Sequence, residues 1–232
     1  MKRVAFWFRV AVLFLVRSGR VTLVLGLMIF SAVAALVFLS SLATGVNDAM
    51  IRNSVGLYTG HISGENLPRT VTPAMLQLDG VARVLRRSSI PGMLRAGPQM
   101  VPVTLMAVAP DAEAAATGLP RKVIAGRYLA PASDQILLSA ALADQLGVTT
   151  GASLSFVESP AQQAYDFIVC GIYRTAVDRL DYGVAFIPDT VRGFVRDTWQ
   201  AAIFLEAGVH PEPVSAQLGT QIAGDAVFES WR

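Results

Sequence analysis

Asp134-Gln135-Ile136-Leu137-Leu138-Ser139-Ala140-Ala141-Leu142-Ala143-Asp144-Gln145-Leu146-Gly147 decides the fold class of this chain. Gln135 to Leu138 reads as a short apolar strand, Ser139 as a helix N-cap, Ala140 to Leu146 as a helix and Gly147 as its C-terminal stop. Downstream, Gly151 turns the chain into a strand at Ser153 to Val157, which hairpins through Glu158 to Asp166 into Phe167 to Tyr173. Then come a strand at Gly183 to Ile187, a helix starting near Pro188-Asp189, a strand at Ala201 to Leu205, a helix at about Pro211 to Ile222 and a strand near Ala226 to Phe228. The last three make a strand-helix-strand unit, so the class is α+β with at least one crossover helix on a sheet. Upstream, strands are expected at Gly56 to Ile62, Val81 to Arg87 and Met100 to Val108. Pro91-Gly92 and Gly97-Pro98 serve as turns, and Asp111 to Thr117 as a short helix ending at Gly118. No period of 20 to 50 residues recurs.

Towards the N-terminus the composition changes. Of 232 residues 53% are hydrophobic and 16% charged, and the mean hydropathy is +0.49, too apolar for an ordinary water-soluble domain. Val21 to Asn47 holds no charged residue, and its 23-residue core Val21 to Ala43 reaches about 35 Å as a helix, enough to cross a hydrocarbon layer of about 30 Å. It is too long, and starts too far into the chain, for a cleaved signal peptide. Lys2, Arg3, Arg9, Arg17 and Arg20 place five cations and no carboxylate in the first twenty residues, leaving 14 basic against 17 acidic groups in the other 212. On a helical wheel the five occupy a face of about 120°, with Trp7, Phe8, Phe14 and Leu15 among the apolar residues of the remainder and Phe6 between the cations. That is the pattern of an interfacial helix on an anionic leaflet. Cations on this side predict a cytoplasmic N-terminus and an outer domain beginning after Ala43. Ser31 and Ala35 are a small-x-x-x-small pair, a candidate helix-packing site. The segments are therefore 1–20, a basic interfacial stretch; 21–43, the span; and 45–232, an extracytoplasmic domain, with a division into lobes of about 45–125 and 126–232.

Several chemistries are excluded. The net charge of +2 is unlike a nucleic-acid binder. Cys170 is the only cysteine, in a short apolar run that predicts a buried inert thiol, so cysteine-based metal sites and intramolecular disulfides are ruled out. His61 and His210 lie far apart and read as ordinary polar or capping residues. Lys2 and Lys122 are the only lysines and neither follows a glycine, so no phosphate-cradling P-loop exists and any ATP is bound by a separate subunit. Gly60-His61-Ile62-Ser63-Gly64 has its serine one place too late for a nucleophile elbow. Asp178 and Asp181, near Arg174 and Arg179, read as a solvated loop with exposed ion pairs rather than an acid pair. No residue is assigned a catalytic, cofactor or metal role, and the chain is not expected to be an enzyme.

A family resemblance rests on several segments in order. Gly126-Arg127-Tyr128-Leu129, Asp134-Gln135-Ile136-Leu137-Leu138-Ser139, Leu142-Ala143-Asp144-Gln145-Leu146-Gly147-Val148, Gly151, Phe167-Ile168-Val169-Cys170-Gly171-Ile172-Tyr173 and Ala185-Phe186-Ile187-Pro188 together resemble the periplasmic core domain of MacB, LolC/LolE and FtsX-type ABC-transporter permeases. The basic start, the single span, Thr44-Gly45 and Thr59-Gly60-His61-Ile62 are similar to the opening of the lipoprotein-releasing permeases. The resemblance implies a permease subunit, or an N-terminal fragment of one, in the inner membrane. A separate cytoplasmic ATPase would move its outer domain against a lipoprotein, lipid, peptide or cell-wall partner. Further permease helices or a second permease subunit are implied as partners, because the family typically has three more spans after this domain. The alternative is a free-standing single-span binding or adaptor module. The connection Glu158 to Asp166 is short where lipoprotein-handling members can carry an extended hook.

Overall fold

The computed structural model describes residues 6–7, 9–10, 12–13, 17–54, 56, 60–131, 134–159, 164–175, 177–191, 196–222 and 225–230. Two compact units divide the chain, residues 1–50 and 51–232. Helix α1 runs from Gly19 to Ser54 and makes up most of the first. Its stretch Gly19–Val46 is long and apolar enough to cross a membrane, and none of its most apolar window is covered by protein. Two of the hydroxyls in it turn inward on their own helix: Ser31 Oγ donates to Met28 O at 2.9 Å and Thr44 Oγ1 to Ser40 O at 3.0 Å. A polar group within hydrocarbon needs such a partner.

The second unit is a mixed α/β domain whose ten strands join one sheet. The strands are β1 (Ile62–Pro68), β2 (Val81–Ala96), β3 (Gln99–Val108), β4 (Val123–Gly126), β5 (Gln135–Ser139), β6 (Ser153–Val157), β7 (Tyr165–Tyr173), β8 (Val184–Pro188), β9 (Thr198–Leu205) and β10 (Val227–Ser230). The helices are α2 (Pro110–Ala116), α3 (Ala140–Leu146), α4 (Asp178–Gly183) and α5 (Pro211–Gln221), with 3-10 turns at Pro73–Leu76 and Leu119–Lys122. The sheet order is β10-β1-β9-β2-β3-β8-β5-β7-β4, and β6 bridges β2 and β7.

That bridge closes a ring. Met93, Leu94 and Arg95 of β2 pair with Val157, Phe156 and Ser155, while Ser153 to Phe156 pair with Ile168 to Tyr165. Following the pairs β2-β3-β8-β5-β7-β6 and back to β2 gives a six-stranded barrel. Side chains alternate along a strand, and one alternating set fills the interior: Val103, Leu105 and Ala107; Ile136 and Leu138; Leu154 and Phe156; Phe167 and Val169; Ala185 and Ile187. The i, i+4 pair Leu142 and Leu146 of α3 packs onto the same core. The opposite set, including Met106, Val108, Leu137, Val184 and Phe186, faces outward under Leu119, Leu129 and Leu180.

The chain on either side of the barrel makes a second module. β10-β1-β9-β2 pair antiparallel throughout, so β1 runs parallel to β2 across β9, and β9 parallel to β10 across β1. This is the split β-α-β arrangement, with the 3-10 turn Pro73–Leu76 in the first crossover and α5 in the second. Val214, Leu218 and Ile222 pack with Ile62, Leu67, Trp199, Ala201 and Ile203 in its core. The 16-residue β2 belongs to both modules. The lobe boundary expected near residue 125 falls inside β4, because the split module draws on both ends of the domain rather than on its first half.

Other expectations need correction. The first strand begins at Ile62, not Gly56, because α1 stays helical to Ser54 and Gly60 has φ of +68°. Pro91-Gly92 is not a turn: Pro91 pairs with Thr104 and Gly92 with Val103 inside β2. Between Ser88 and Gly92 this strand is paired with β3 alone, since β9 stops at Arg87 and β6 starts at Met93. Such a locally one-sided stretch tolerates a residue without an N–H. A Cβ on Gly92 would lie 2.7 Å from Val157 O and collide with the Phe156 ring. No helix begins at Pro188-Asp189, where β8 ends and a turn follows; residues 192–195 lie outside the described set.

The decisive sequence stretch folds as read. Ser139 Oγ accepts from Leu142 N at 3.1 Å, and Gly147 ends α3 with φ of +65°. Cys170 is buried, with Sγ donating to Ile136 O at 3.3 Å, and burial pushes its thiol pKa up, as an inert thiol requires.

Candidate functional site

At the N-terminus Phe6, Trp7, Arg9, Val10, Val12, Leu13 and Arg17 are helical. Trp7 and Phe6 are exposed and meet edge to face at 5.9 Å. Arg9, Arg17 and Arg20 are exposed, while Lys2, Arg3, Phe8, Phe14 and Leu15 lie outside the described residues. Ser31 and Ala35 are both uncovered on α1.

In the folded domain the polar feature missed by sequence reading is a buried ion pair. Arg87 stands where β2 passes from one module to the other, opposite Gln200 of β9 and Val108 of β3. Its side chain is 4% exposed and that of Glu113 on α2 is 1% exposed. Arg87 Nε donates to Glu113 Oε2 at 3.1 Å, and a second bond joins Arg87 Nη2 to Glu113 Oε1. The fork ties α2 to the shared strand. Beside it the Tyr128 hydroxyl is buried without a hydrogen-bond partner among the described residues, and burial, reinforced by the Glu113 charge, drives its pKa up. Neighbouring Arg86 points the other way, over the Trp199 ring at 5.5 Å. Consecutive arginines in a strand must face opposite sides, and that was the available signal: one of Arg86-Arg87 had to enter the interior.

A second polar cluster pins α4 to one end of the barrel. Asp181 Oδ1 accepts from Thr175 N at 2.9 Å and Thr175 Oγ1 at 2.8 Å. Ser139 Oγ donates to Asp181 O, and the Tyr173 hydroxyl sits 2.8 Å from Leu180 O and 2.7 Å from Val184 O. The solvated loop expected around Asp178 and Asp181 is therefore a helix, held because Asp181 spends its carboxylate on the backbone N–H and hydroxyl of Thr175. Ser63 lies within β1, paired with Glu229 and Ala202, with no helix following it directly.

His61 also has a defined role. Its Nδ1 accepts from Leu205 N at 3.1 Å, and burial lowers its pKa below the ordinary 6.5. The fold thus favours the neutral ring, so the stability it supplies is present above pH 6.5 and is lost as pH falls through the lowered folded value. Urea midpoints should drop between about pH 7.5 and about pH 5.5. In His61→Asn, whose Oδ1 accepts from Leu205 N without titrating, that drop should shrink; an equal drop in both chains would remove His61 as its source.

No family model and no curated protein sequence matches the chain. Among solved structures it is similar to the periplasmic region of MacB from Actinobacillus actinomycetemcomitans, at 15% identity and a TM-score of 0.52, covering 78% of this chain and 94% of that one. It is also similar to the extracellular domain of the noncanonic ABC-type transporter YknZ from Gram-positive bacteria, at 14% identity and a TM-score of 0.53, covering 73% and 99%. A third structure, a domain described as that of a permease protein from Porphyromonas gingivalis, matches at 16% identity and a TM-score of 0.52, covering 74% and 91%. The barrel and split module joined by β2 therefore have the fold of the periplasmic and extracellular domains of MacB-like ABC-transporter permeases, preceded by Gly19–Val46, the one helix among the described residues that is long and apolar enough to span a membrane.

Proposed function

We propose that this chain is a permease subunit of an ABC transporter, or the N-terminal part of one, that turns ATP-driven motion into movement of its outer domain. The observation that supports this most is the direct joining of an uncovered apolar helix, Gly19–Val46, to a domain with the fold of MacB-like extracytoplasmic regions. A single span with no ionisable residue from Val21 to Val46 offers no polar pathway for solute. It can pass a rigid-body displacement to the domain it carries. ATP binding falls to a separate cytoplasmic ATPase. Ser31 and Ala35 supply a close-packing face for further permease helices, and the domain works on a lipoprotein, lipid, peptide or cell-wall partner.

Purifying the tagged full chain from its native membrane in mild detergent should bring down an ABC ATPase and additional permease helices in fixed ratio. Recovery as a monomer or dimer free of ATPase would overturn the reading and favour a free-standing anchored module. Reversing the basic face tests the orientation. Arg9→Glu with Arg17→Glu removes two surface attractions of about 1 kcal/mol each and adds repulsion of similar size. Cysteine-accessibility mapping should find a fraction of inverted or undocked N-termini in that variant; unchanged topology and docking would show that the face does not orient the chain.

A further inference from the structure

One end of the barrel combines exposed cations with exposed apolar groups. The 3-10 turn Leu119–Lys122 carries Arg121 and Lys122, and Arg174 follows β7 beside it, with Arg174 N donating to Lys122 O at 3.0 Å. Arg121 and Arg174 are exposed and Lys122 is half-buried. None of the three lies within ion-pair distance of a carboxylate among the described residues. The nearby Asp181 carboxylate is taken up by Thr175. Segments 118–127 and 173–183 together hold five cations and two carboxylates, in a chain whose residues after 20 are net acidic. Ile124 of β4 is 56% exposed and Tyr182 of α4 is 61% exposed; Tyr173, which holds α4, pairs with Val123 beside Ile124. Cations flanked by an aliphatic and a tyrosine side chain suit a headgroup boundary.

Chain connectivity identifies which surface this end meets. Gly118 N donates to Gly56 O at 3.2 Å, and Gly56 follows Val46, the last residue of the apolar stretch, by only ten positions. Ten residues span about 15 Å as helix and no more than about 35 Å fully extended. The cations three and four residues beyond Gly118 are therefore tethered within reach of the bilayer that takes up α1, which raises their effective concentration at its surface. We infer that this end of the domain docks on that membrane, with Arg121, Lys122 and Arg174 on the phosphates of anionic lipids and Ile124 and Tyr182 at the headgroup boundary. The inference rests on the membrane-anchor part of the reading above and needs no ATPase.

The full chain in lipid nanodiscs tests it. With phosphatidylglycerol mixed into phosphatidylcholine, amide exchange across residues 119–126 and 174–183 should slow at least about threefold relative to phosphatidylcholine alone, because each surface cation strengthens binding by about fivefold. The slowing should vanish in about 0.5 M salt, where screening shortens to a few ångströms. Arg121→Gln with Lys122→Gln and Arg174→Gln should exchange equally in both lipids, while a control at other surfaces, Arg69→Gln with Arg95→Gln, should keep the slowing. Equal exchange of the native chain in both lipids would overturn the inference, as would slowing that survives the triple change. So would slowing reproduced in neutral discs by soluble glycerol phosphate, which would make the ligand a small phosphate instead. Loss of the docking signal with the ATPase still co-purifying would discard only this inference.

Discussion

Glu113→Ala should lower the unfolding free energy of the full chain in detergent by about 3–5 kcal/mol, the cost of removing the carboxylate that compensates the buried Arg87 charge. Arg87 and Glu113 are almost wholly covered, so neither can regain water without local opening. The guanidinium cannot shed its proton to escape the penalty. Removing the carboxylate also releases α2 from β2 at the residue where that strand changes partners from β9 to β3. Arg87→Met with Glu113→Leu should recover most of the loss, since a buried ion pair is often no better than an apolar pair of similar volume. Urea midpoints of the two variants separate the contributions. A cost below about 1 kcal/mol for Glu113→Ala would mean that water already reaches the guanidinium. If the double change were as harmful as the single one, geometry rather than charge would hold α2 in place.

The contrast between that pair and the α3 segment shows what a sequence displays. Ser139, Leu142 and Gly147 signal through local contacts: a cap three residues long and a left-handed stop, both set by nearest neighbours. The same locality made the β6-β7 hairpin and α5 legible. Ring closure is not local. Leu94 of β2 meets Phe156 of β6 some sixty residues away, and nothing in either segment alone announces the other. Pro91-Gly92 has turn composition, yet it sits within a strand because the stretch has a neighbour on one side only and an aromatic ring needs the space over Gly92. At α4 Asp181 suggested solvent, whereas Thr175 supplied a partner for its carboxylate and Ser139 one for its main-chain carbonyl, contacts that a one-dimensional reading does not bring together. The family resemblance reached the fold through the order of its segments, which encodes topology that periodicity cannot.

Gly171→Val should be the most disruptive single change on the barrel's outer edge, costing about 3 kcal/mol by overpacking. Gly171 faces Gly126 across the β4-β7 pair. A Cβ on Gly171 would collide with Arg127 O and come within 3.1 Å of Ala125 O, both rigid backbone atoms. The partner cannot yield either: Gly126 has φ of +76°, and its own Cβ position lies 2.8 Å from Gly171 Cα. Opposite them, β7 shifts register against β5 between Val169 and Gly171, and Cys170 at the shift belongs to the cluster outside the barrel. The lowest-energy response is for β4 to lift from the sheet, so amide exchange at residues 123–127 should accelerate well before the barrel core at 136–138 is affected. Because β4 directly follows Arg121 and Lys122 and carries Ile124, the same variant should lose the lipid-dependent slowing proposed for that end while its core remains protected. If β4 stayed protected in Gly171→Val, the close glycine contact would not be what seats it. If the slowing persisted with β4 released, Ile124 and the placement of β4 would drop out of the membrane contact, leaving it to Arg174 and α4.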